Sequence, residues 1–253
     1  MIPGAVLEVR EVSVRFGGVM AVRSASLQLR EKEVVGLIGP NGAGKSSLLG
    51  ALGGQLPVAG GQVWLGGHDI TAAPPHRRAR LGLARTFQLT STFEDLTVYE
   101  NLLVSATAAH GSRLRDSLAG GRGTRARLAA AADATWSRLR EFDMADVANR
   151  YGSELSGGQR RLVEIMRCLM QSPRVLLLDE PMVGVAPRLV GRIQEECARI
   201  RDSGTTILIV EHALEVIQAV CDRVVVMASG AVVAQATYDE AMSSGVVQEA
   251  YFA

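Results

Sequence analysis

Three short apolar segments stand out in the hydrophobic pattern of this chain. Each ends at a glycine turn or at acidic or histidine residues, as expected for a strand that is buried on both faces. The segments are Val34–Ile38, Val175–Leu178 and Thr206–Val210. Helical spacing of apolar residues covers Arg188–Arg201 and Leu214–Ala219. Buried strands that alternate with helices predict an α/β fold with a parallel sheet.

Other strand-like segments lie near both ends of the chain. They are Leu7–Phe16, Gln62–Leu65, Arg223–Met227 and Ala231–Ala234. Because they lie outside the alternating α/β pattern, we expect them to form an added antiparallel layer.

The middle of the chain has a different pattern. Between Thr90 and Ser153 no segment is typical of a strand. Helical spacing predicts helices at Val98–Ala109 and Arg125–Phe142, joined by a loop rich in glycine and arginine over 111–124. We therefore expect one domain, 1–253, with a helical subdomain inserted into its α/β core at 90–155.

Charge and hydropathy exclude several classes of partner and location. The 253 residues carry a formal net charge of +1, which gives no reason to expect a nucleic-acid partner. The amino-terminal residues lack the apolar core of a signal peptide. No apolar run approaches the roughly 20 residues that span a bilayer. We expect a cytoplasmic protein that contacts a membrane only through partners.

Lysine and cysteine usage is sparse. The chain contains two lysines, Lys32 and Lys45. Its three cysteines, Cys168, Cys197 and Cys221, are far apart and match no metal-ligand spacing. We expect these cysteines to be buried free thiols in a reducing compartment.

A glycine-rich motif follows the first buried segment. Residues 39–46 read Gly-Pro-Asn-Gly-Ala-Gly-Lys-Ser and fit the phosphate-binding pattern G-x-x-x-x-G-K-[ST] between a predicted strand and a predicted helix. Glycines let backbone N–H groups converge on phosphate oxygens at a helix N-terminus. Lys45 can reach the β- and γ-phosphates of ATP, and the Ser46 hydroxyl can hold Mg²⁺. The predicted nucleotide-binding residues here are Gly39, Asn41, Gly42, Gly44, Lys45, Ser46 and Ser47.

Two adjacent carboxylates follow the second buried segment. A strand ending in Asp179-Glu180 places both at the carboxyl edge of the sheet, where α/β ligand sites lie. Asp179 fits the Mg²⁺-orienting carboxylate of a P-loop NTPase. Glu180 would then act as the general base on the attacking water. Together with the phosphate loop, this pair predicts nucleotide hydrolysis.

A third motif, Leu155-Ser-Gly-Gly-Gln159, lies about 20 residues before the carboxylate strand. It resembles the signature sequence of ABC ATPases, and the spacing is similar to that of the family. Ser156 can cap the helix that begins at Gly157, leaving N–H groups free to bind an anion. In one chain this motif would be remote from the phosphate loop. The resemblance therefore implies a second ATP-binding subunit, arranged head-to-tail, whose γ-phosphate meets Ser156, Gly157, Gly158 and Gln159.

The resemblance assigns three further residues. Phe16 resembles the aromatic residue that stacks on adenine, and Gln88 resembles the glutamine that links Mg²⁺ to the helical insert. His212 resembles the switch histidine that contacts the γ-phosphate. It would act with Glu180 and Lys45 in catalysis. The implied fold is an ABC-type nucleotide-binding domain with a RecA-like core, and its motion would drive transmembrane permease subunits.

Within the family, several stretches look most like importer subunits for branched-chain amino acids. These stretches are residues 69–71, 75–88, 96–102, 160–164 and 247–251. Subunits for urea, amides or lipids share parts of them. Two alternatives of other classes remain, namely a soluble ABC ATPase without a transport role and a P-loop kinase. The signature motif argues against the kinase, and the presence of a single cassette argues against translation-type members.

One position departs from the family pattern. After Glu180-Pro181 the family carries a short loop that ends in Asp or Asn and touches the opposite subunit. This chain has Ala186 at that place. Since a methyl group neither donates nor accepts a hydrogen bond, we expect altered communication across the dimer.

Overall fold

The computed structural model describes residues 4–86, 92–109, 122–185 and 187–252. Its strands are β1 (Ala5–Phe16), β2 (Val19–Arg30), β3 (Val34–Ile38), β4 (Gly60–Leu65), β5 (His68–Asp69), β6 (Leu83–Arg85), β7 (Val175–Asp179), β8 (Thr206–Val210), β9 (Arg223–Ala228) and β10 (Ala231–Ala236). Its α-helices are α1 (Lys45–Gly53), α2 (Pro75–Arg80), α3 (Val98–Ala109), α4 (Arg122–Glu141), α5 (Gly157–Leu169), α6 (Pro187–Asp202), α7 (Leu214–Val220), α8 (Tyr238–Ser243) and α9 (Gly245–Phe252). Within these ranges no helix combines the length and the apolar character needed to cross a membrane.

The chain divides into two compact units. The core unit comprises Met1–Gln88, Pro173–Val183 and Gly191–Ala253, and the helical unit comprises Leu89–Ser172 and Gly184–Val190. The helical unit overlaps the insert predicted at 90–155 and extends beyond it. The segment Gly184–Val190 of this unit packs on the start of α5, because a Cβ at Gly158 would lie 2.5 Å from Leu189 Cδ1.

A six-stranded sheet forms the centre of the core unit. The strand order is β10-β9-β3-β8-β7-β6, and every neighbouring pair is parallel except β10 and β9. All five residues are buried in each of β3, β7 and β8. Burial on both faces explains why these strands appear in the sequence as continuous apolar runs. The predicted parallel α/β sheet is confirmed.

The prediction of an added antiparallel layer was wrong for Arg223–Met227 and for Ala231–Ala234, which both lie in the central sheet. Strand β9 pairs in parallel with β3 in the central sheet, and β10 is the antiparallel edge of the same sheet. The reason is visible in the burial of β9, because Val224–Met227 are all buried. A strand of an outer layer would expose alternate residues instead. The position of a segment near the end of the chain therefore did not predict which sheet the strand joins.

A second, antiparallel sheet has the strand order β2-β1-β4-β5. It contains the predicted strands at Leu7–Phe16 and Gln62–Leu65, together with β2, which the sequence pattern did not indicate. Helix α1 contacts strands of both sheets. Its leucines Leu48 and Leu52 are fully buried among side chains from the two sheets. The helix that follows the phosphate loop is thereby held in the core.

In the part of the helical unit that the structure describes, α3 contacts both α4 and α5. The predicted helices at Val98–Ala109 and Arg125–Phe142 correspond to α3 and α4. An isolated antiparallel bridge joins Thr97 to Tyr151. Most of the predicted loop lies outside the described residues.

The three cysteines are free thiols. Cys197 is a buried residue as expected, and the Cys168 and Cys221 residues are partly exposed although their thiols lie in desolvated surroundings. Loss of hydration raises the pKa of the Cys168 and Cys197 thiols to about 12. These two thiols are therefore protonated and unreactive at neutral pH.

Candidate functional site

The phosphate loop joins β3 to α1, and its shape depends on glycine. Gly39 has φ +146°, and a Cβ there would lie 2.0 Å from the Met227 carbonyl oxygen. Gly44 has φ +98° at the N-cap of α1, and its Cβ would lie 2.4 Å from the Ala21 carbonyl oxygen. Any larger residue at either place would collide with fixed backbone, so Gly39 and Gly44 are required by packing as well as by conformation.

Lys45, the first residue of α1, is folded back on the loop. Its Nζ donates to the carbonyl oxygens of Gly39, at 2.7 Å, and Pro40, at 2.9 Å. Burial lowers the pKa of Lys45, and the nearby Glu180 carboxylate opposes that shift. The ammonium is therefore held by weak carbonyl partners that phosphate oxygens can replace, since charge-assisted bonds to an anion are stronger.

Asp179 ends β7 and is almost completely buried, with 1% of its side chain exposed. Its Oδ2 accepts from Arg85 Nη2 at 2.9 Å, and no described residue donates to its buried Oδ1. A buried acceptor without a donor is costly unless something else satisfies it. A divalent cation fits this oxygen, so the donor set is compatible with Mg²⁺. Among the described residues no three His, Cys, Asp or Glu side chains cluster as a complete metal site. The nucleotide would have to supply the remaining ligands, as is usual for Mg²⁺.

Glu180 and His212 form the adjacent polar pair. His212 Nε2 lies 2.9 Å from Glu180 Oε1, with 43% of the histidine side chain exposed and 14% of the glutamate side chain. Glu180 has φ +47°, which is unusual for a residue other than glycine, and its N–H donates to the Val210 carbonyl at 2.9 Å. Unusual backbone conformations of this kind concentrate at functional sites.

A buried carboxyl group supports this pair from behind. Glu211 Oε1 accepts from the Met182 amide at 2.7 Å, and Glu211 Oε2 accepts from the His212 amide at 3.2 Å. These bonds tie the loop after β7 to the loop after β8. Burial raises the pKa of Glu211, and the two backbone bonds partly offset the rise.

Half of the predicted site residues line one open cavity of about 220 Å³ in the core unit. The lining residues are Ala21, Asn41, Gly42, Ala43, Gly44, Lys45, Ser46, Ser47, Glu180 and His212. Phe16 is not among them. It is 49% exposed at the end of β1, on the same hairpin as Ala21.

The predicted signature motif lies in the helical unit. Ser156 is the N-cap of α5, as predicted, and forms a capping box with Gln159. Ser156 Oγ accepts from the Gln159 amide at 3.3 Å, and Gln159 Oε1 accepts from the Ser156 amide at 3.0 Å. The amides of Gly157 and Gly158 take no part in this box. They are the groups that an anion at the start of α5 would meet.

Two predicted positions, Gln88 and Ala186, lie outside the described residues. Sequence reasoning also missed two contributors to the site. Arg85 pairs with Asp179, and Tyr251 of α9 hydrogen-bonds the Gly39 backbone while burial raises the pKa of its phenol. Arg85 lies three residues before the predicted Gln88, and its pairing with Asp179 follows from the position of β6 beside β7. The Tyr251 contact joins residues that lie more than 200 positions apart in the sequence, and no local pattern indicates it.

Comparisons with known proteins agree on one family. The sequence profile described as ABC transporter matches residues 22–183. The high-affinity branched-chain amino acid transport ATP-binding protein BraF of Pseudomonas aeruginosa is 38% identical, over 97% of this chain and 97% of that protein. The corresponding protein LivG of Escherichia coli is 36% identical, over 97% of this chain and 96% of that protein. A solved nucleotide-free ATP-binding cassette from an ABC transporter has a TM-score of 0.85 at 29% identity and covers 98% of this chain and 99% of that chain.

Proposed function

This chain belongs to the ABC transporter family and is one of its ATP-binding, ATP-hydrolysing subunits, and we propose that it drives import of branched-chain or other hydrophobic amino acids. The substrate class rests on the relatives BraF and LivG, whose names carry branched-chain amino acid transport. This subunit would work with transmembrane permease subunits at the cytoplasmic face of the membrane and contact the membrane only through them.

The observation that carries the hydrolytic mechanism is the arrangement of Lys45, Glu180 and His212 around one cavity. Lys45 would leave the Gly39 and Pro40 carbonyls and bind the β- and γ-phosphates. Phe16 would stack on the adenine. Ser46, Asp179 and Gln88 would hold Mg²⁺, which neutralises charge on the phosphates when it is bound.

Glu180 would accept the proton of the attacking water. The carboxylate faces the cavity, and the 2.9 Å contact with His212 Nε2 fixes one of its oxygens. His212 would also contact the γ-phosphate, so the pair would sense whether ATP is present.

Replacing Glu180 by glutamine tests this assignment. Glu180→Gln keeps the size and the hydrogen bond to His212 but removes the base, so turnover should fall by roughly a hundredfold or more. ATP binding should be retained, because the phosphate loop is unchanged. The measurement is steady-state phosphate release together with ATP affinity.

Glu195→Gln is the matched control, because Glu195 is an exposed residue of α6 outside the cavity. It should turn over ATP like the parent chain. Near-normal turnover in Glu180→Gln would assign the base to another group.

Two interfaces complete the proposal. The start of α5 would bind the γ-phosphate held by a second ATP-binding subunit, head-to-tail. A cytoplasmic helix of a permease would dock beside Gln88 and along Thr90–Glu100. In the helical unit, Phe93 is 45% exposed and Tyr151 is 51% exposed, which supplies apolar surface for such a helix.

Co-expression with candidate permease subunits tests the second interface. Phe93→Asp should reduce co-purification of the permease while ATP binding by the chain stays normal. Unchanged co-purification would place the permease contact elsewhere.

A further inference from the structure

Strand β6 ends beside Asp179, and two consecutive residues at that end contact it. Arg85 Nη2 donates to Asp179 Oδ2 at 2.9 Å, and the side-chain oxygen of Thr86 accepts from the Asp179 amide at 3.3 Å. Thr86 continues the pairing of β6 with β7, since its amide donates to the Leu177 carbonyl at 3.0 Å. Both the side chain and the backbone of Asp179 are therefore fixed from one neighbouring strand.

The ion pair between Arg85 and Asp179 is largely hidden from water. Only 13% of the arginine side chain is exposed. A carboxylate in this setting needs a compensating charge, because burying an isolated charge is costly. Arg85 occupies Oδ2, which leaves Oδ1 as the oxygen without a donor among the described residues. The pair thus selects which oxygen remains open to a ligand.

The guanidinium is itself fixed by α1 and the segment after it. Arg85 Nη1 donates to Gln55 Oε1 at 2.9 Å. Gly53 at the end of α1 leaves space for the arginine, because a Cβ there would lie 3.0 Å from Arg85 Cδ. The planar guanidinium therefore binds Gln55 through Nη1 and Asp179 through Nη2 at the same time. A lysine ammonium cannot reproduce this two-sided geometry.

We propose that Arg85 is a positioning residue for Mg²⁺, holding Asp179 so that Oδ1 faces the metal bound with ATP. The inference rests on the Mg²⁺ role proposed above for Asp179. Outer partners that orient a ligating carboxylate typically change metal affinity by about 10- to 100-fold when they are removed. Arg85 acts through Asp179 and does not touch the nucleotide in this assignment.

The test measures ATP binding in the absence of turnover. The magnesium preference is defined as the ATP dissociation constant in EDTA divided by that in saturating Mg²⁺. Arg85→Gln should lower this ratio by about tenfold or more, while the ATP dissociation constant in EDTA stays at the parent value. Arg85→Lys should fall between the parent and Arg85→Gln, because it keeps the charge but loses the two-sided geometry.

Arg223→Gln is the matched control. Arg223 forms a similar part-buried pair with Glu33, at 2.8 Å, in the same unit and outside the cavity. Arg223→Gln should lower the free energy of unfolding without changing the magnesium preference. A parental ratio in Arg85→Gln, or an equal drop in Arg223→Gln, would overturn the proposal. If Arg85→Gln does not fold, a parental ratio in Arg85→Lys overturns it as well. A parent chain with a ratio of one would instead refute the Mg²⁺ role of Asp179.

Discussion

At the scale of single residues, Glu211 connects the chemistry of the site to its stability. Its buried carboxyl group has a raised pKa, so the folded chain holds this proton more tightly than the unfolded chain. The stabilising effect of that proton is complete below the unfolded pKa of about 4.3 and is lost as the pH rises through the folded pKa. Above that range the charged group stays buried, and among the described residues the Met182 and His212 amides donate to it.

Glu211→Gln should remove this pH dependence. Between pH 4 and neutral pH, the free energy of unfolding of the parent should decline relative to that of the variant. Urea unfolding at a series of pH values measures the difference. The change with pH is the diagnostic, because glutamine has one acceptor oxygen and loses one backbone bond at every pH. A difference that does not vary with pH would show that Glu211 has an ordinary pKa.

Single residues also differ in how well the sequence predicted their place in the site. Lys45, Ser46, Glu180 and His212 were predictable because each follows a strand in a motif with a known chemical purpose, and the structure brings them to one cavity. Arg85 was not predicted, because an arginine on a short strand has no motif of its own. Its role depends on β6 pairing with β7, which joins residues about 90 positions apart.

At the scale of elements, α1 is anchored at its carboxyl end by Arg78. The guanidinium donates to the Ala51 and Leu52 carbonyls, each at 2.6 Å. It also donates to the Ala73 and Thr71 carbonyls, each at 2.8 Å. The last carbonyls of a helix have no partner within the helix. A cation at that end also interacts favourably with the helix dipole. Arg78 is buried, so it fixes the helix that begins with Lys45.

Arg78→Met should therefore destabilise the fold by roughly 3–5 kcal/mol, because it leaves several buried carbonyls without donors. Arg77→Met, one residue earlier and exposed, should change stability by no more than about 0.5 kcal/mol. Chemical denaturation of both variants provides the comparison. Equal stabilities would mean that water replaces the guanidinium at the end of α1.

Prediction of the elements succeeded where periodicity was unambiguous. Strands buried on both faces and helices such as α3 were correctly located. Strand β2 was missed because its exposed residues, among them Ser24 and Arg23, interrupt the alternation. Strand β9 was assigned to the wrong sheet because a run of valines specifies burial but does not specify which neighbour a strand pairs with.

At the scale of the whole molecule, the proposed dimer can be separated from fold stability by two similar helix caps. Both α5 and α8 begin with a capping box, at Ser156 and at Thr237. Ser156→Ala and Thr237→Ala should each lower stability by about 1 kcal/mol. Only Ser156→Ala should weaken ATP-driven dimerisation, because only Ser156 belongs to the motif proposed to meet the partner's γ-phosphate.

Analytical ultracentrifugation with ATP, in the Glu180→Gln background, measures that dimerisation. ATP affinity of the monomer should stay normal in Ser156→Ala. Equal dimerisation in the two cap variants, or a loss of monomer affinity in Ser156→Ala, would contradict the head-to-tail arrangement.

The burial of Lys45 also makes the protein suited to selective chemical labelling. Reagents that acylate amines need access to the nitrogen as well as a deprotonated amine. Of the two lysines, Lys32 is exposed and Lys45 is buried, with its nitrogen bonded to loop carbonyls. Burial lowers the pKa of Lys45, yet the same burial keeps a bulky reagent away. A fluorophore or crosslinker can thus be attached to one defined lysine side chain of the folded protein while the nucleotide site stays chemically unmodified.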